Sequence, residues 1–426
     1  ARHSPDLLRT SDPWFRGIEL ISGADGGVFI ADWSDIGECH DNDGVHRSSG
    51  RIFKVVHGAP TTDGPGDLDR LSNAQLADLQ ESRNDWMSRQ SRRLLQERAV
   101  AGQPMDALHE RFRNRVAMAS DPVVQLRALW CLHVTGGATT EWLLAQLDHP
   151  SEHVRAWTVR LLGDESTPSD DARHAFADLA RRETSGLVLL YLASSLQEFP
   201  PGERWDLTEA LSRRAEFAAD RVLPLMIWYG IEPAVANRPA RAVQIAEASP
   251  MLPLVRSIAR RLTENIAVAP EPVNQLVAML KGDDRRAWTQ AVLGGMADSL
   301  RGYRKAAMPK SWTVVQDRLS SSPEREVRRL TQELSVVFGD GRALDELMQI
   351  AATETAEPKA RRDAIRVLAQ ARASGVAQLL CELVEERDIG ADAVRGLAVF
   401  DDAQIPGVLI PNYSRLREPT RAAAIV

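Results

Sequence analysis

The sequence has 426 residues, 44% of them apolar and 26% charged, which is enough chain for two or three domains with cores of their own. The net charge is −7, and the 52 basic residues, all but five of them arginine, are interspersed with 59 acidic ones. Because acidic residues separate the basic ones, the chain has no basic stripe that could follow a phosphate backbone, and we expect no nucleic-acid partner. No apolar run approaches the ~20 residues of a membrane segment.

The first 57 residues predict short β-strands. Residues 15–21 alternate towards a strand, residues 28–33 and 50–56 predict a second and a third strand, and the glycine-rich turn 23–27 joins the first two. Three short antiparallel strands cannot bury a core alone. We therefore expect this sheet to be the remnant of a larger β structure.

A polar loop, residues 34–49, follows the second predicted strand and combines carboxylates with imidazoles. Such side chains bind calcium or a transition metal, or transfer protons. The candidate cofactor ligands are Asp32 and Asp35, and the candidate metal ligands are His40, Asp41, Asp43 and His46. The alternative is a solvated loop of turn-forming residues. An EF-hand is excluded because Gly50 stands where the bidentate glutamate belongs, and Cys39-His40 lacks the second cysteine of a haem attachment motif.

Residues 58–72 are rich in glycine and proline and predict a linker, and residues 73–426 predict short helices with short connections. One phrase recurs there: a proline is followed four residues later by an apolar residue and an arginine, at Leu126-Arg127, Val154-Arg155 and Val327-Arg328. A helix pair repeated every ~28–45 residues is typical of an α-solenoid. The stretch 121–165 resembles a HEAT repeat. An unrelated helical bundle is the alternative.

Helical spacing assigns several side chains of this region to buried faces. The predicted faces of the first two phrases are Leu126, Leu129, Trp130 and His133, then Val154, Trp157, Leu161 and Leu162. We expect the prolines of the phrase in first helical turns, where a missing N–H costs nothing. The same spacing predicts core positions, rather than a ligand platform, for the aromatic residues Trp130, Trp157, Trp228 and Tyr229. It also predicts core positions for Cys131, Cys381 and His133.

The helical region contains two further sets of regularly spaced polar residues. His149 and His153 have the i, i+4 spacing of metal ligands, but no carboxylate motif such as HExxH accompanies them, so we do not expect a metal there. Arginines recur at equivalent places of the repeats, where structural hydrogen bonds are the expected role. They are Arg127, Arg155, Arg328 and Arg361.

The strands and the helices together resemble one known family. Its motifs are Asp12-Pro13-Trp14-Phe15-Arg16, DGGVFIADW (25–33) and GRIFKV (50–55), then HVRAWTVRLLGD (153–164) and LPLMIWYGIEP (223–233). The first three resemble the closing blade of a glucose/sorbosone-dehydrogenase-type β-propeller. The whole resembles the planctomycete-type membrane-bound dehydrogenase and haem-binding proteins, in which HEAT-like repeats follow a propeller and precede a cytochrome c segment.

This resemblance implies an organisation for the chain. Residues 1–57 would be an incomplete propeller blade, 58–72 a linker, and 73–426 a mainly α, HEAT-like solenoid truncated at its C-terminal end. Because Ala1 is not an initiator methionine and the last helix ends uncapped, we expect a fragment of a longer protein. The parent would resemble a quinoprotein-type sugar or alcohol dehydrogenase with a quinone cofactor, calcium and c-type haem, in the periplasm or another extracytoplasmic compartment.

Three functions follow from these patterns. In the first, the solenoid is a scaffold between a propeller dehydrogenase domain and a cytochrome c segment, both largely absent here, and this chain alone is inactive and holds no cofactor. In the second, it is a HEAT-repeat adaptor that binds a protein partner and has no redox role. The third, a HEAT-like DNA-repair glycosylase, is disfavoured by the acidic composition.

Overall fold

Helices make up most of the computed structural model, which describes residues 5–6, 8–34, 49–58, 66–164, 167–282, 285–303, 305–339, 341–372 and 375–425. Its contacts divide the chain into two compact units, Ala1–Asp164 and Glu165–Val426. Within the described ranges, no helix is both long and apolar enough to cross a bilayer.

Three antiparallel strands open the first unit. In the spatial order β1-β2-β3 they are Gly17–Ser22, Val28–Asp32 and Arg51–Val55. Leu20 of β1 lies opposite Ile30 of β2, and Ile30 lies opposite Phe53 of β3. The three predicted strands are therefore confirmed.

Six helices complete the first unit around one apolar cluster. They are α1 (Asn73–Asp78), α2 (Asp85–Val100), α3 (Asp106–Met118), α4 (Pro122–Val134), α5 (Thr140–Gln146) and α6 (Glu152–Leu161). The cluster includes Phe112, Leu129, Leu132 and Val154. Leu68, from the segment predicted as a linker, is buried in the same cluster.

Sixteen helices of the second unit lie within the described ranges. They are α7 (Asp170–Arg182), α8 (Gly186–Ser195), α9 (Trp205–Ser212), α10 (Leu223–Val235), α11 (Pro239–Ala248), α12 (Leu252–Thr263), α13 (Glu271–Ala278), α14 (Arg286–Ser299), α15 (Trp312–Ser320), α16 (Arg325–Val337), α17 (Gly341–Ala352), α18 (Pro358–Ala371), α19 (Val376–Leu383), α20 (Gly390–Leu397), α21 (Gln404–Asn412) and α22 (Glu418–Ala423).

These helices pack in two layers. The even-numbered helices from α8 to α22 each contact the next even-numbered one, and the odd-numbered helices from α7 to α15 do the same. Consecutive helices such as α11 and α12, or α15 and α16, contact each other across the two layers. Each helix pair thus buries its apolar face against its neighbours, which is the packing of a HEAT-like α-solenoid. The predicted fold class, mainly α with a small antiparallel sheet, is confirmed.

Two local expectations for the repeats need correction. Pro122 opens α4 at its first position behind the Asp121 cap, as expected. Pro150 and Pro323 instead precede the caps of α6 and α16, Ser151 and Glu324, and lie outside those helices. The second error concerns α4, whose buried residues are Gln125, Ala128, Leu129, Cys131 and Leu132. Trp130 and His133 are only partly buried. Because α4 is apolar almost all round, periodicity alone could not select its buried face.

Candidate interaction site

Asp32, the one described member of the predicted polar cluster, lies at the end of β2 with 4% of its surface exposed. Its Oδ1 accepts hydrogen bonds from the backbone N–H of Arg16 (2.7 Å) and of Ser34 (3.0 Å), and its Oδ2 accepts one from Nε of Arg51 (2.7 Å). Arg51 also donates to Asp12 at 2.6 Å. This network ties the ends of the strands together, so the geometry supports a structural role for Asp32.

The other predicted ligands, Asp35, His40, Asp41, Asp43 and His46, lie outside the described residues, as do Glu38 and Cys39. Across the ranges that the structure does describe, no group of three or more His, Cys, Asp or Glu side chains is placed to hold a metal ion. The predicted cofactor and metal site of the 34–49 loop therefore stays a prediction.

Asp32→Asn is expected to lower the protection of the β2 and β3 amides at neutral pH. Burial raises the pKa of Asp32, but the hydrogen bonds from Arg16, Ser34 and Arg51 outweigh burial and leave the pKa below its ordinary value. The ionised carboxylate therefore stabilises the sheet above the unfolded pKa of about 3.9, and this stabilisation is lost as the pH falls through the lower folded pKa. Amide exchange followed by NMR from pH 7 to pH 3 measures both effects.

Glu19→Gln is the matched control, because Glu19 is an exposed carboxylate on the neighbouring strand β1. We expect the control to keep the acid dependence of the parent and Asp32→Asn to lose it. Equal acid dependence in the two variants would contradict the role given to Asp32.

The recurring arginines serve the structure, as predicted. Arg155 donates to the carbonyls of His149 (2.8 Å) and Pro150 (3.1 Å), and Arg328 donates to the equivalent carbonyls of residues 322 and 323. Arg127 reaches further, to the carbonyls of residues 80 and 82. Arg361 donates to the Ala351 carbonyl and pairs with the carboxylate of Glu386 (2.6 Å). Arg155 and Arg328, each five residues after the proline, thus satisfy carbonyls of the segment that precedes their own helix.

His149 and Cys131 are structural side chains as well. His149 is buried, its Nδ1 accepts the Ser151 N–H (3.0 Å), and its Nε2 lies 3.0 Å from the Val116 carbonyl, to which it must donate. Both ring nitrogens are therefore engaged within the protein. Cys131 is fully buried, and burial raises the pKa of its thiol to about 12, so it is a core residue as predicted.

A groove of about 340 Å³ in the first unit holds the two tryptophans of the repeat phrase. Trp130 of α4 and Trp157 of α6 meet edge to face with their ring centroids 4.9 Å apart. Cζ of Arg92, from α2, lies 5.1 Å from the centroid of Trp130, and Cζ of Arg160 lies 5.2 Å from that of Trp157. Each guanidinium thus makes a cation–π contact. We name this site the tryptophan groove, defined by Arg92, Trp130, Trp157 and Arg160.

The tryptophan groove is cationic. Within the part of the chain that the structure describes, neither Arg92 nor Arg160 forms an ion pair with a carboxylate. Asp164 also lines the groove, with Oδ2 3.3 Å from Nε2 of His133, so two arginines stand against one carboxylate. Nη1 of Arg92 and Nε1 of Trp130 are buried donors without an acceptor. Burial lowers the pKa of Arg92, because its charge has lost hydration, and the Coulombic attraction of Asp85 offsets this loss only in part.

Sequence reasoning missed the tryptophan groove. It placed Trp130, Trp157 and Tyr229 in the core, but the two tryptophans are half-buried and Tyr229 is 60% exposed. His133 is partly buried and paired with Asp164 rather than enclosed in the core. The only signal in the sequence is that Trp130 and Trp157 occupy comparable places in successive phrases, which lets their rings meet.

No family model matches this sequence, and no curated protein matches it. Among solved structures, the chain is similar to Kap95p in a structure with RanGDP, with 13% identity over 82% of this chain and 53% of that chain and a TM-score of 0.37. It is also similar to importin beta (11% identity, 84% and 62% covered, TM-score 0.30) and to a structure of the Pds5–Scc1 complex (12% identity, 78% and 66% covered, TM-score 0.31). The chain spans 53% and 62% of the length of the first two.

Proposed function

We propose that this chain is the scaffold part of an extracytoplasmic, dehydrogenase-like, haem-binding protein. Its HEAT-like helices would hold a propeller domain and a cytochrome c segment and present a surface to protein partners. Catalysis would belong to the neighbouring domains, and a quinone cofactor, calcium and c-type haem would be bound there. This sequence contains no CxxCH motif that could attach haem. Both carboxylate oxygens of Asp32 already accept hydrogen bonds within the protein.

The observation that carries this proposal is a sheet that is apolar on both faces. One face holds Leu20, Ile30 and Phe53, and the other holds Phe29 and Ile52. Leu20 is 68% exposed and Ile52 is 78% exposed. An antiparallel sheet with one solvated face places polar side chains on that face, and exposed apolar patches of this kind mark interfaces. Both faces therefore suit burial by further β structure, as between stacked propeller blades.

The sheet is also fastened to the helices that follow it. Nδ2 of Asn84, the cap of α2, donates to the Ala24 carbonyl in the β1–β2 turn at 2.8 Å, and Arg89 of α2 donates to Oγ of Ser22 at 3.4 Å. A β domain completed around this sheet would be held against α2. These contacts support a scaffold whose first helices position the neighbouring domain.

Sequencing the encoding transcript outward from both ends of the region for residues 1–426 tests the proposal. We expect upstream sequence for further propeller strands and downstream sequence with a CxxCH motif. A start codon close to Ala1, with no β-rich sequence before it, would contradict the redox scaffold. That result would favour a HEAT-repeat adaptor with no redox role, the second candidate, because the tryptophan groove requires no redox domain.

A further inference from the structure

We infer that the tryptophan groove is the place where this scaffold binds an acidic segment of a partner protein. Carboxylates of that segment would accept hydrogen bonds from Arg92 and Arg160. The inference rests on the proposed scaffold role and specifies the chemistry of the partner. It follows from the charge, the accessible guanidinium groups and the aromatic surfaces of the groove.

The charge of the groove selects an anion. The chain as a whole carries a net charge of −7, so an acidic segment is repelled from most of its surface. At the groove, two guanidinium groups stand without a carboxylate partner among the described residues, and they outnumber Asp164, the one carboxylate among its lining residues. Neighbouring arginines outside the groove are paired, Arg93 with Glu97 and Arg127 with Asp85. The groove is therefore a local cationic site on an acidic protein.

The two guanidinium groups favour a carboxylate as the anion. Arg92 is partly exposed and Arg160 is exposed, so a side chain of a partner can reach both. A carboxylate offers two acceptor oxygens and forms charge-assisted hydrogen bonds with a guanidinium. Carboxylates of one acidic segment would therefore accept hydrogen bonds from both arginines.

The aromatic surfaces favour a side chain with an apolar stem. Trp130 and Trp157 are half-buried and meet edge to face, which leaves a rigid apolar wall beside the two cations. Tryptophan and arginine are the residue types that dominate binding energy at protein interfaces. Glutamate combines a methylene stem for such a wall with a terminal carboxylate, and a volume of about 340 Å³ suits side chains rather than a folded domain.

The test measures binding of fluorescein-labelled hexaglutamate to the full 426-residue chain by fluorescence anisotropy, with labelled hexaglutamine and oligothymidylate as parallel probes. We expect hexaglutamate to bind, more weakly as NaCl rises from about 50 to about 300 mM, and the other two probes not to bind. Arg92→Gln should weaken the hexaglutamate affinity about tenfold or more, since a charge-assisted hydrogen bond is lost. Arg160→Gln should weaken it about threefold or more.

Arg93→Gln is the matched control, because Arg93 neighbours Arg92 on α2 but pairs with Glu97 outside the groove. It should retain the parental affinity. Arg160 is exposed, so its variant keeps the test valid if Arg92→Gln fails to fold. No binding of hexaglutamate, equal binding of hexaglutamine, preferred binding of oligothymidylate, or equal losses in Arg92→Gln and Arg93→Gln would each overturn the inference. Those outcomes leave the transcript test unaffected, so a failure of the groove is distinguishable from a failure of the scaffold role.

Discussion

Trp312→Ala is expected to lower the free energy of opening around α15 and α16 by about 3–5 kcal/mol, the usual cost of truncating a buried tryptophan. Trp312 is fully buried, and its Nε1 donates to Oγ of Ser335 at 3.1 Å. Its ring packs edge to face on Phe338 with centroids 5.1 Å apart. Truncation therefore leaves a cavity and an unpaired hydroxyl between two helices of one repeat.

Native-state amide exchange measures this loss locally, which suits a chain of repeats that contact only their neighbours. The exchange of residues 312–338 should accelerate more than that of α7 and α8 in the same unit. Val314→Ala is the control, because Val314 lies on the same helix with 65% of its surface exposed, and its effect should stay within about 0.5 kcal/mol. Similar effects of the two substitutions would show that Trp312 is not a core residue.

Gly295→Ala is expected to destabilise the contact between α12 and α14 by about 3 kcal/mol, at the upper end of the usual range for overpacking. A Cβ at this position would overlap the carbonyl oxygen of Arg256 and lie 2.9 Å from the backbone nitrogen of Arg260. Since both atoms belong to the backbone of α12, no side-chain rotation relieves the overlap. The two helices would have to separate.

Gly294→Ala provides the comparison, because the atoms nearest to a Cβ there belong to the Arg256 guanidinium, at 3.2 Å. That half-exposed side chain can move by a few tenths of an ångström while it keeps its pair with Asp298. Alanine in a helix interior is favoured over glycine by about 0.5–1 kcal/mol, so this variant should be neutral or slightly stabilised. Urea denaturation followed by circular dichroism, supported by amide exchange over α12 and α14, compares the two. A Gly295→Ala variant as stable as Gly294→Ala would contradict the close approach.

The elements themselves could be predicted from local pattern, because strand and helix periods differ and turn residues mark the ends. The three strands and the mainly helical remainder follow from that pattern. The buried face of α4 could not be predicted, because apolar residues occur on almost every side of that helix. The close approach at Gly295 was equally inaccessible, because it depends on which backbone lies opposite.

For the candidate sites as well, local spacing could be predicted from the sequence and contacts between distant elements could not. The sequence correctly assigned the recurring arginines to structural hydrogen bonds, since their spacing after proline is a local property. The tryptophan groove joins side chains of three helices, Arg92 of α2, Trp130 of α4 and Trp157 of α6, and no local pattern places them together. Asp32 was singled out for its polar neighbours, whereas its engagement with Arg51 depends on the pairing of β2 with β3.

Hydroxyl-radical footprinting of the sheet tests the central claim most directly. The isolated chain of residues 1–426 is compared with the protein purified from its natural source, and oxidation of Leu20, Trp33 and Ile52 is read by mass spectrometry. These side chains are 59–78% exposed in the chain described here. The account predicts rapid oxidation in the isolated chain and strong protection in the natural protein, where further β structure covers both faces. Equal oxidation of the three residues in both samples would contradict it.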